Sequence, residues 1–211
     1  MKRAGAIAVV FAFALVLATG CAKKVYYVQL SDAWPSKTRE FDDVAKSWTR
    51  HGRLMSGWDK VLEFHATFMS PEWRAAYVAE RTKLQRLRQK DRANLTEKHT
   101  AAAKKFHEVE LLLSTYEQRE NDLSRGKRSM WRIWLIDGDG KQVVPVSIKK
   151  DKRPRGVINQ YFPDLHDFDT AYVVRFPRTI DVLRSGGKQF SLRIASAHGA
   201  VEVVWLERAG K

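Results

Sequence analysis

The sequence predicts a mainly β protein with some helix: an immunoglobulin-like antiparallel β-sandwich that carries a helical hairpin insertion and is preceded by a short N-terminal helix. About seven short apolar runs lie between turn signals, most of them after residue 107, which is typical of a sandwich. Two segments with helical periodicity separate the first two runs, at about residues 71–106. With 211 residues and 44% apolar content, the chain is long enough for one domain with a substantial core.

The pattern of residues 38–51 predicts the short N-terminal helix. Its apolar side chains follow the i, i+3, i+4, i+7 spacing of an amphipathic helix: Phe41, Val44, Ala45 and Trp48. Thr38 is the expected N-cap, and Gly52 is expected to end the helix. Residues 21–37 are expected to form a tether, although the apolar run within residues 23–30 could instead form a first strand.

Residues 60–69 alternate apolar and polar side chains, which predicts a half-buried strand. Ser70 and Pro71 then mark a helix start, because serine caps a helix and proline at its first position loses no hydrogen bond. We expect this helix to stop near Asn94 and a second helix to run from about Thr96 to Phe106.

The rest of the chain is predicted to be β-rich. Residues 107–116 alternate as a strand, and residues 117–128 are expected to form a polar loop. Two further runs flank an Asp-Gly turn as a hairpin, and Pro145 in the second run indicates a sheet edge. The strands expected after residue 128 are 130–136, 142–148, 171–176, 189–195 and 200–206.

The N-terminus has the pattern of a secretion signal. Lys2 and Arg3 precede an uncharged stretch, residues 4–17, which is the length of a signal-peptide core and too short for a spanning helix. The segment Leu17-Ala18-Thr19-Gly20-Cys21 that follows resembles the lipobox of bacterial lipoproteins, although Ala18 occupies the position where leucine is usual. The resemblance implies cleavage after Gly20 and lipidation of Cys21, so that acyl chains anchor the protein in a membrane.

Three stretches of the mature chain resemble a group of uncharacterised proteobacterial lipoproteins: SPEWRAAYVAE (70–80), SMWRIWLIDGDGKQVVPVSIKK (129–150) and FPDLHDFDTAYVVRFPR (162–178). The likeness implies an exported, lipid-anchored domain and adds no mechanism. Ala22, where inner-membrane lipoproteins carry aspartate, resembles the pattern of outer-membrane lipoproteins. The expected organisation is a signal peptide at 1–20, a tether at 21–37 and one sandwich domain at 38–211, on the periplasmic face of the outer membrane.

The formal net charge of +14 predicts an anionic neighbour. The export signal argues against nucleic acid and favours an anionic lipid or glycan of the envelope. The cations that could form one patch lie on the helix face 81–92 and in the run KKDKRPR: Lys83, Arg86, Lys90, Lys149, Lys150, Lys152, Arg153 and Arg155. A solvated helix face and a solvated loop are the alternative interpretation.

The loop DLHDFD offers carboxylates and an imidazole close together: Asp164, His166, Asp167 and Asp169. Such ligands suit a divalent cation, but the spacing matches no known metal loop, and aspartate is common in turns because it bonds its own backbone. The turn is therefore the favoured interpretation, and a metal-assisted hydrolase is the alternative function. The DGDG at 137–140 departs from a calcium loop and predicts a hairpin turn.

Other chemistry is weakly indicated. His65, His99 and His107 could meet in the fold, but no metal-binding motif joins them. Cys21 is the single cysteine, so the folded body has no disulfide and no catalytic thiol. No nucleophile elbow, phosphate loop or paired-carboxylate motif is recognisable. We therefore expect no cofactor and no enzymatic activity, and a module that binds an envelope protein or an anionic glycan or lipid, or serves as a structural subunit of an envelope complex.

Overall fold

The computed structural model describes residues 25–184 and 187–208, a mixed α/β fold that is mostly β. Its two five-stranded sheets agree with the predicted β-sandwich. The first sheet contains β1 (Tyr27–Val28), β5 (Arg132–Ile136), β6 (Gln142–Val143), β9 (Gln189–Ser196) and β10 (Gly199–Glu207). The second contains β2 (Thr49–Ser56), β3 (Asp59–Phe68), β4 (Phe106–Thr115), β7 (Ser147–Lys150) and β8 (Thr170–Pro177). The strand orders are β1-β10-β9-β5-β6 and β2-β3-β4-β8-β7, and every pair except β1 with β10 is antiparallel.

Four α-helices lie in the described part of the chain: α1 (Phe41–Trp48), α2 (Pro71–Gln85), α3 (Gln89–Lys105) and α4 (Arg155–Tyr161). Two short 3₁₀ turns, Gln118–Glu120 and Leu123–Arg128, occupy the predicted polar loop. The helical hairpin α2–α3 connects β3 to β4, neighbouring strands of the second sheet, so the predicted insertion is found where expected.

The expected tether is shorter than predicted. Tyr27 pairs with Leu206 in a parallel ladder, so the apolar run contributes a first strand, which was the alternative interpretation of this segment. Val28 and Leu30 are each only 1% exposed and belong to the core. Burial of these two side chains makes Val28 and Leu30 part of the folded domain.

The first helix is also shorter than predicted. Thr38 does not cap it, because the helix begins at Phe41 after Glu40, whose side chain makes no capping bond. Gly52 does not end it either and lies in β2, where a Cβ atom would collide with the ring of Phe64. The strand β2 was missed because its sequence TRHGRLMS is largely solvent-exposed and lacks apolar alternation.

The helical hairpin begins as predicted and bends earlier. The hydroxyl of Ser70 accepts a hydrogen bond from the backbone N–H of Trp73 at 3.1 Å, and Pro71 is the first helical residue. The first helix ends at Gln85, because Arg86 adopts a left-handed conformation with φ of 48°. The predicted break near Asn94 and start near Thr96 are wrong: the Thr96 hydroxyl donates to the carbonyl of Arg92 one turn back, inside α3.

The predicted hairpin after residue 130 divides at Pro145. Residues before it form β6, the edge of the first sheet beside β5, and residues after it form β7, the edge of the second sheet beside β8. Proline cannot donate to a ladder, so the chain leaves one sheet and joins the other at this point. The strands expected at 60–69, 107–116, 171–176, 189–195 and 200–206 are confirmed within one or two residues.

Arg50 ties the two sheets together. Its guanidinium donates to the carbonyl oxygens of Val204 at 2.7 Å and Tyr26 at 2.8 Å, and also to those of Ser47 and Thr49. It lies 5.6 Å from the ring centre of Trp205. Burial lowers the pKa of Arg50 to about 10, so the side chain stays charged at neutral pH. One side chain of β2 therefore bonds both β10 and the residue that precedes β1.

Candidate functional site

The predicted lipidation of Cys21 and cleavage after Gly20 lie outside the described residues. Within residues 25–184 and 187–208, no helix is long and apolar enough to cross a membrane.

The basic run KKDKRPR divides into two parts with different surroundings. Lys149 and Lys150 lie on β7, and with Lys152 they line a groove of about 570 Å³ along this sheet edge. In the described part of the chain none of these three lysines takes part in a salt bridge. The hydroxyl-bearing Ser124 and Ser147 line the same groove. Free ammonium groups beside hydroxyls can bind an anion through charge and hydrogen bonds.

Arg153 and Arg155 have structural partners instead. The guanidinium of Arg153 bonds Asp151 and lies 3.2 Å from the carboxyl of Glu110. Arg155 donates to the carbonyl oxygens of His166 at 2.6 Å and Asp169 at 3.0 Å. These two arginines therefore hold neighbouring segments together and are not free for a ligand.

Asp151 lines the groove, and its carboxyl group shares the guanidinium of Arg153 with the carboxyl group of Glu110. Glu110 is fully buried, and burial raises its pKa well above the ordinary value although Arg153 opposes the shift. Burial alone would raise the pKa of Asp151, but hydrogen bonds from Arg153 outweigh it and hold that pKa below its ordinary value. Burial therefore favours the neutral form of Glu110, and the bonds from Arg153 favour the ionised form of Asp151.

The helix-face cations do not join this groove. Lys83 faces Glu80 at 3.9 Å, Arg86 forms the turn that ends α2, and Lys90 lies in the first turn of α3. None of these three lines the groove, and the segment that packs against β7 is Leu123–Arg128. Of the two basic segments, only the run KKDKRPR therefore contributes cations to this groove.

The loop at 164–169 is a turn held by its own hydrogen bonds. The carboxyl of Asp169 accepts from the backbone N–H of His166 at 2.8 Å, and the N–H of Asp169 donates to the His166 carbonyl at 3.0 Å. Asp167 is exposed, and Asp164 faces a different cleft beside His65. Within residues 25–184 and 187–208, no three His, Cys, Asp or Glu side chains are arranged to hold a metal ion.

The three candidate histidines have separate environments. The ring of His65 stacks on His51 with centres 4.8 Å apart, and burial lowers its pKa. Burial lowers the pKa of His99 to about 4, and the neighbouring guanidinium of Arg74 acts in the same direction. Burial likewise lowers the pKa of His107 to about 4, and its ring is bonded to the carbonyl of Ile180.

The DGDG segment forms the predicted turn. The carboxyl of Asp137 accepts from the backbone N–H groups of Asp139 and Lys141. Gly140 has φ of 82°, a conformation that favours glycine.

One buried ionic network was not predicted. Arg74 on α2 bonds Glu108 on β4, and both side chains are almost fully buried. Arg175 on β8 binds the other oxygen of Glu108 at 2.6 Å. Glu108 and Glu110 alternate with apolar residues, which places both carboxyl groups on one face of β4. This alternation is the sequence signal that could have indicated a polar strand face covered by other elements.

Neither a protein-family description nor a curated protein sequence matches this chain. Among solved structures, the chain is similar to a protein of unknown function from Burkholderia pseudomallei K96243. The two share 14% sequence identity over 72% of this chain and 77% of the other, with a TM-score of 0.34.

Proposed function

We propose that this chain is a lipid-anchored, non-enzymatic module of the bacterial cell envelope that binds an anionic envelope component. The anchor would be Cys21, and the expected location is the periplasmic face of the outer membrane. The observation that carries the binding proposal is the groove along β7, where Lys149, Lys150 and Lys152 have no acidic partner within the described chain.

The chemistry of the groove suits clustered phosphate or carboxylate groups. Each lysine near a charged surface adds about 1 kcal/mol of attraction, and the sum is screened by salt. Lysine makes no rigid paired contact with an anion, so the groove suits a surface or polymer rich in negative charge better than one small anion of fixed shape.

We also assign the sandwich to the immunoglobulin-like class. The support is the connectivity, because the chain passes from one sheet to the other between β1 and β2, β4 and β5, β6 and β7, and β8 and β9. Such crossings resemble the Greek-key connections of that class.

The groove is tested with a triple variant, Lys149→Gln, Lys150→Gln and Lys152→Gln, of the mature chain. Binding to soluble polyphosphate and to vesicles containing phosphatidylglycerol is measured at low and high salt. We expect at least about a tenfold loss of affinity and a shallower salt dependence. The matched control is Lys83→Gln with Lys90→Gln on the helical hairpin, which should leave binding unchanged.

The two probes separate the possible sources of the anion. Tighter binding to vesicles than to polyphosphate would indicate a lipid headgroup, and the reverse would indicate a soluble or wall polymer. Equal binding by the triple variant and the control would refute the groove as the binding site.

The anchor is tested by Cys21→Ala followed by membrane fractionation. We expect the variant to lose the membrane-bound form of mature size. Persistence of that form at wild-type abundance would rule out lipidation at this residue.

A further inference from the structure

Three aromatic side chains on separate segments are largely exposed. Trp58 in the β2–β3 turn is 99% exposed, Phe168 in the loop before β8 is 86% exposed, and Tyr116 after β4 is 70% exposed. Large aromatic side chains are usually buried, so three of them in solvent indicate a contact surface.

These three side chains lie at the same end of the second sheet. The N–H of Tyr116 donates to the carbonyl of Val61, which places Tyr116 near the turn that carries Trp58. Tyr116 and Phe168 line one cleft of about 460 Å³, together with Lys60 from the start of β3. We call the surface formed by Trp58, Tyr116 and Phe168 the aromatic end.

Exposed cations flank the aromatic end. Arg119 follows Tyr116 by three residues, and its side chain is largely exposed. On the other side, the exposed Arg155 bonds the backbone of the loop that carries Phe168. Aromatic tips bordered by basic residues are typical of surfaces that meet lipid headgroups.

The direction of β1 relates this surface to the proposed anchor. β10 begins at Gly199, where an added Cβ atom would lie 3.3 Å from the side chain of Leu54, close to the β2–β3 turn. β10 therefore starts at the aromatic end. Because β1 runs parallel to β10, the N-terminal end of β1 faces the aromatic end as well.

The lengths agree with this direction. From Leu206, the partner of Tyr27, back to Gly199 is a distance of about 23 Å at the rise of a β-strand. The six residues from Cys21 to Tyr27 can span at most about 20 Å. Even a fully extended tether would therefore leave Cys21 about 3 Å short of the level of Gly199. A lipid on Cys21 would thus hold the aromatic end against the membrane surface.

We propose that the aromatic end rests on the lipid bilayer, with Trp58, Tyr116 and Phe168 inserted at headgroup depth. The contact orients the domain relative to its membrane and leaves the groove along β7 at the side of the molecule. This inference rests on the lipid anchor of the proposed function and adds a second, non-covalent membrane contact.

The first experiment uses the lipidated full-length mature protein in vesicles whose acyl chains carry bromine, a short-range quencher of tryptophan. We expect strong quenching in the wild type and loss of most of it in Trp58→Leu. Since Trp58 is almost completely exposed, its replacement should leave the fold intact. Wild-type fluorescence that is unquenched in these vesicles would overturn the proposal.

The second experiment removes the anchor so that the two membrane contacts are measured separately. The Cys21→Ser chain is sedimented with phosphatidylcholine vesicles, with and without phosphatidylglycerol. Replacing all three aromatic residues by alanine should weaken sedimentation about tenfold on both compositions. The control is Tyr27→Ala, an exposed aromatic residue in β1, which should sediment as the parent does.

The outcomes distinguish this inference from the proposed function. Normal lipidation and groove binding combined with no effect of the aromatic substitutions would refute only the aromatic end as a lipid contact. If Cys21 proves to carry no lipid, while sedimentation of the Cys21→Ser chain with vesicles still depends on the three aromatic residues, only the anchor is refuted. If the aromatic substitutions abolish capture of a purified envelope protein while vesicle binding is unchanged, the surface binds protein and the proposal is wrong.

Discussion

Replacing Arg74 with methionine should destabilise the fold by about 3 kcal/mol, because removal of one member of a buried ion pair leaves the other charge without compensation. Arg74 bonds Glu108 and also donates to the carbonyl of Met69 at 2.9 Å, while its own side chain is almost fully buried. Arg175 still neutralises part of the Glu108 charge in the variant, which places the loss at the lower end of the usual range.

The assay is urea unfolding at neutral pH, followed by tryptophan fluorescence. A loss of about 3 kcal/mol corresponds to a fall of about 10 °C in Tm for a domain of this size. The control is Arg175→Met, which removes a half-exposed partner of the same carboxylate and should cost about 1 kcal/mol or less. The double variant Arg74→Met with Glu108→Gln should be more stable than the sum of the single losses predicts, because the two residues interact directly.

The acid limb of the stability curve gives a second readout. Burial alone would raise the pKa of Glu108, but the guanidiniums of Arg74 and Arg175 outweigh it and hold that pKa below the ordinary value. A carboxyl group whose pKa is lowered in the folded state stabilises the fold at pH values above its ordinary, unfolded-state pKa. That contribution is lost as the pH falls through the folded-state pKa. In Arg74→Met this contribution shrinks. An Arg74→Met protein within 1 kcal/mol of wild type, with an unchanged acid limb, would refute the reasoning.

Three other perturbations test separate features of the fold. Arg50→Met should cost about 2 kcal/mol in urea unfolding, because it removes the donor to the partly buried carbonyl oxygens of Val204 and Tyr26. A loss below about 0.5 kcal/mol, the size expected of an ordinary surface substitution, would contradict this. The pKa of His107 is lowered to about 4 by burial, so the unfolded state takes up its proton first, and stability falls as the pH drops from about 6.5 toward 4. His107→Gln keeps a donor for Ile180 and should flatten that pH dependence, whereas an identical profile would exclude the histidine as its cause. Elemental analysis of purified protein should find no stoichiometric metal and no difference in Asp167→Ala, and a bound metal lost in that variant would restore the hydrolase alternative.

The predictable parts of the fold were those in which side chains alternate with burial. Val109, Leu111 and Leu113 point into the core from β4, and their spacing alone predicted that strand. The strand β2 has no such pattern. It lies at the edge of the sheet beside β3, and β3 supplies the buried side chains of this pair. Its position follows from tertiary contacts, including the space that Gly52 leaves for Phe64, and no local signal encodes those contacts.

The sequence predicted which residues contribute to the candidate site but not how these residues are arranged. The run that contains Lys149 and Lys150 was identified from charge alone, and the structure places it on a groove. The sequence could not indicate that Arg153 is held by Asp151 and Glu110, since Glu110 is 41 residues from Asp151 along the chain and meets it only through sheet packing. Pairing between distant charges of this kind determines which cations stay free.

The anchor is the claim on which location, partners and orientation all depend, and mass spectrometry of the N-terminal peptide tests it most directly. We expect the protein isolated from membranes to begin at Cys21, with a diacylglyceryl group on its sulfur atom and an acyl chain on its amino group. A protein that still begins at Met1 and carries an unmodified thiol at Cys21 would contradict the account.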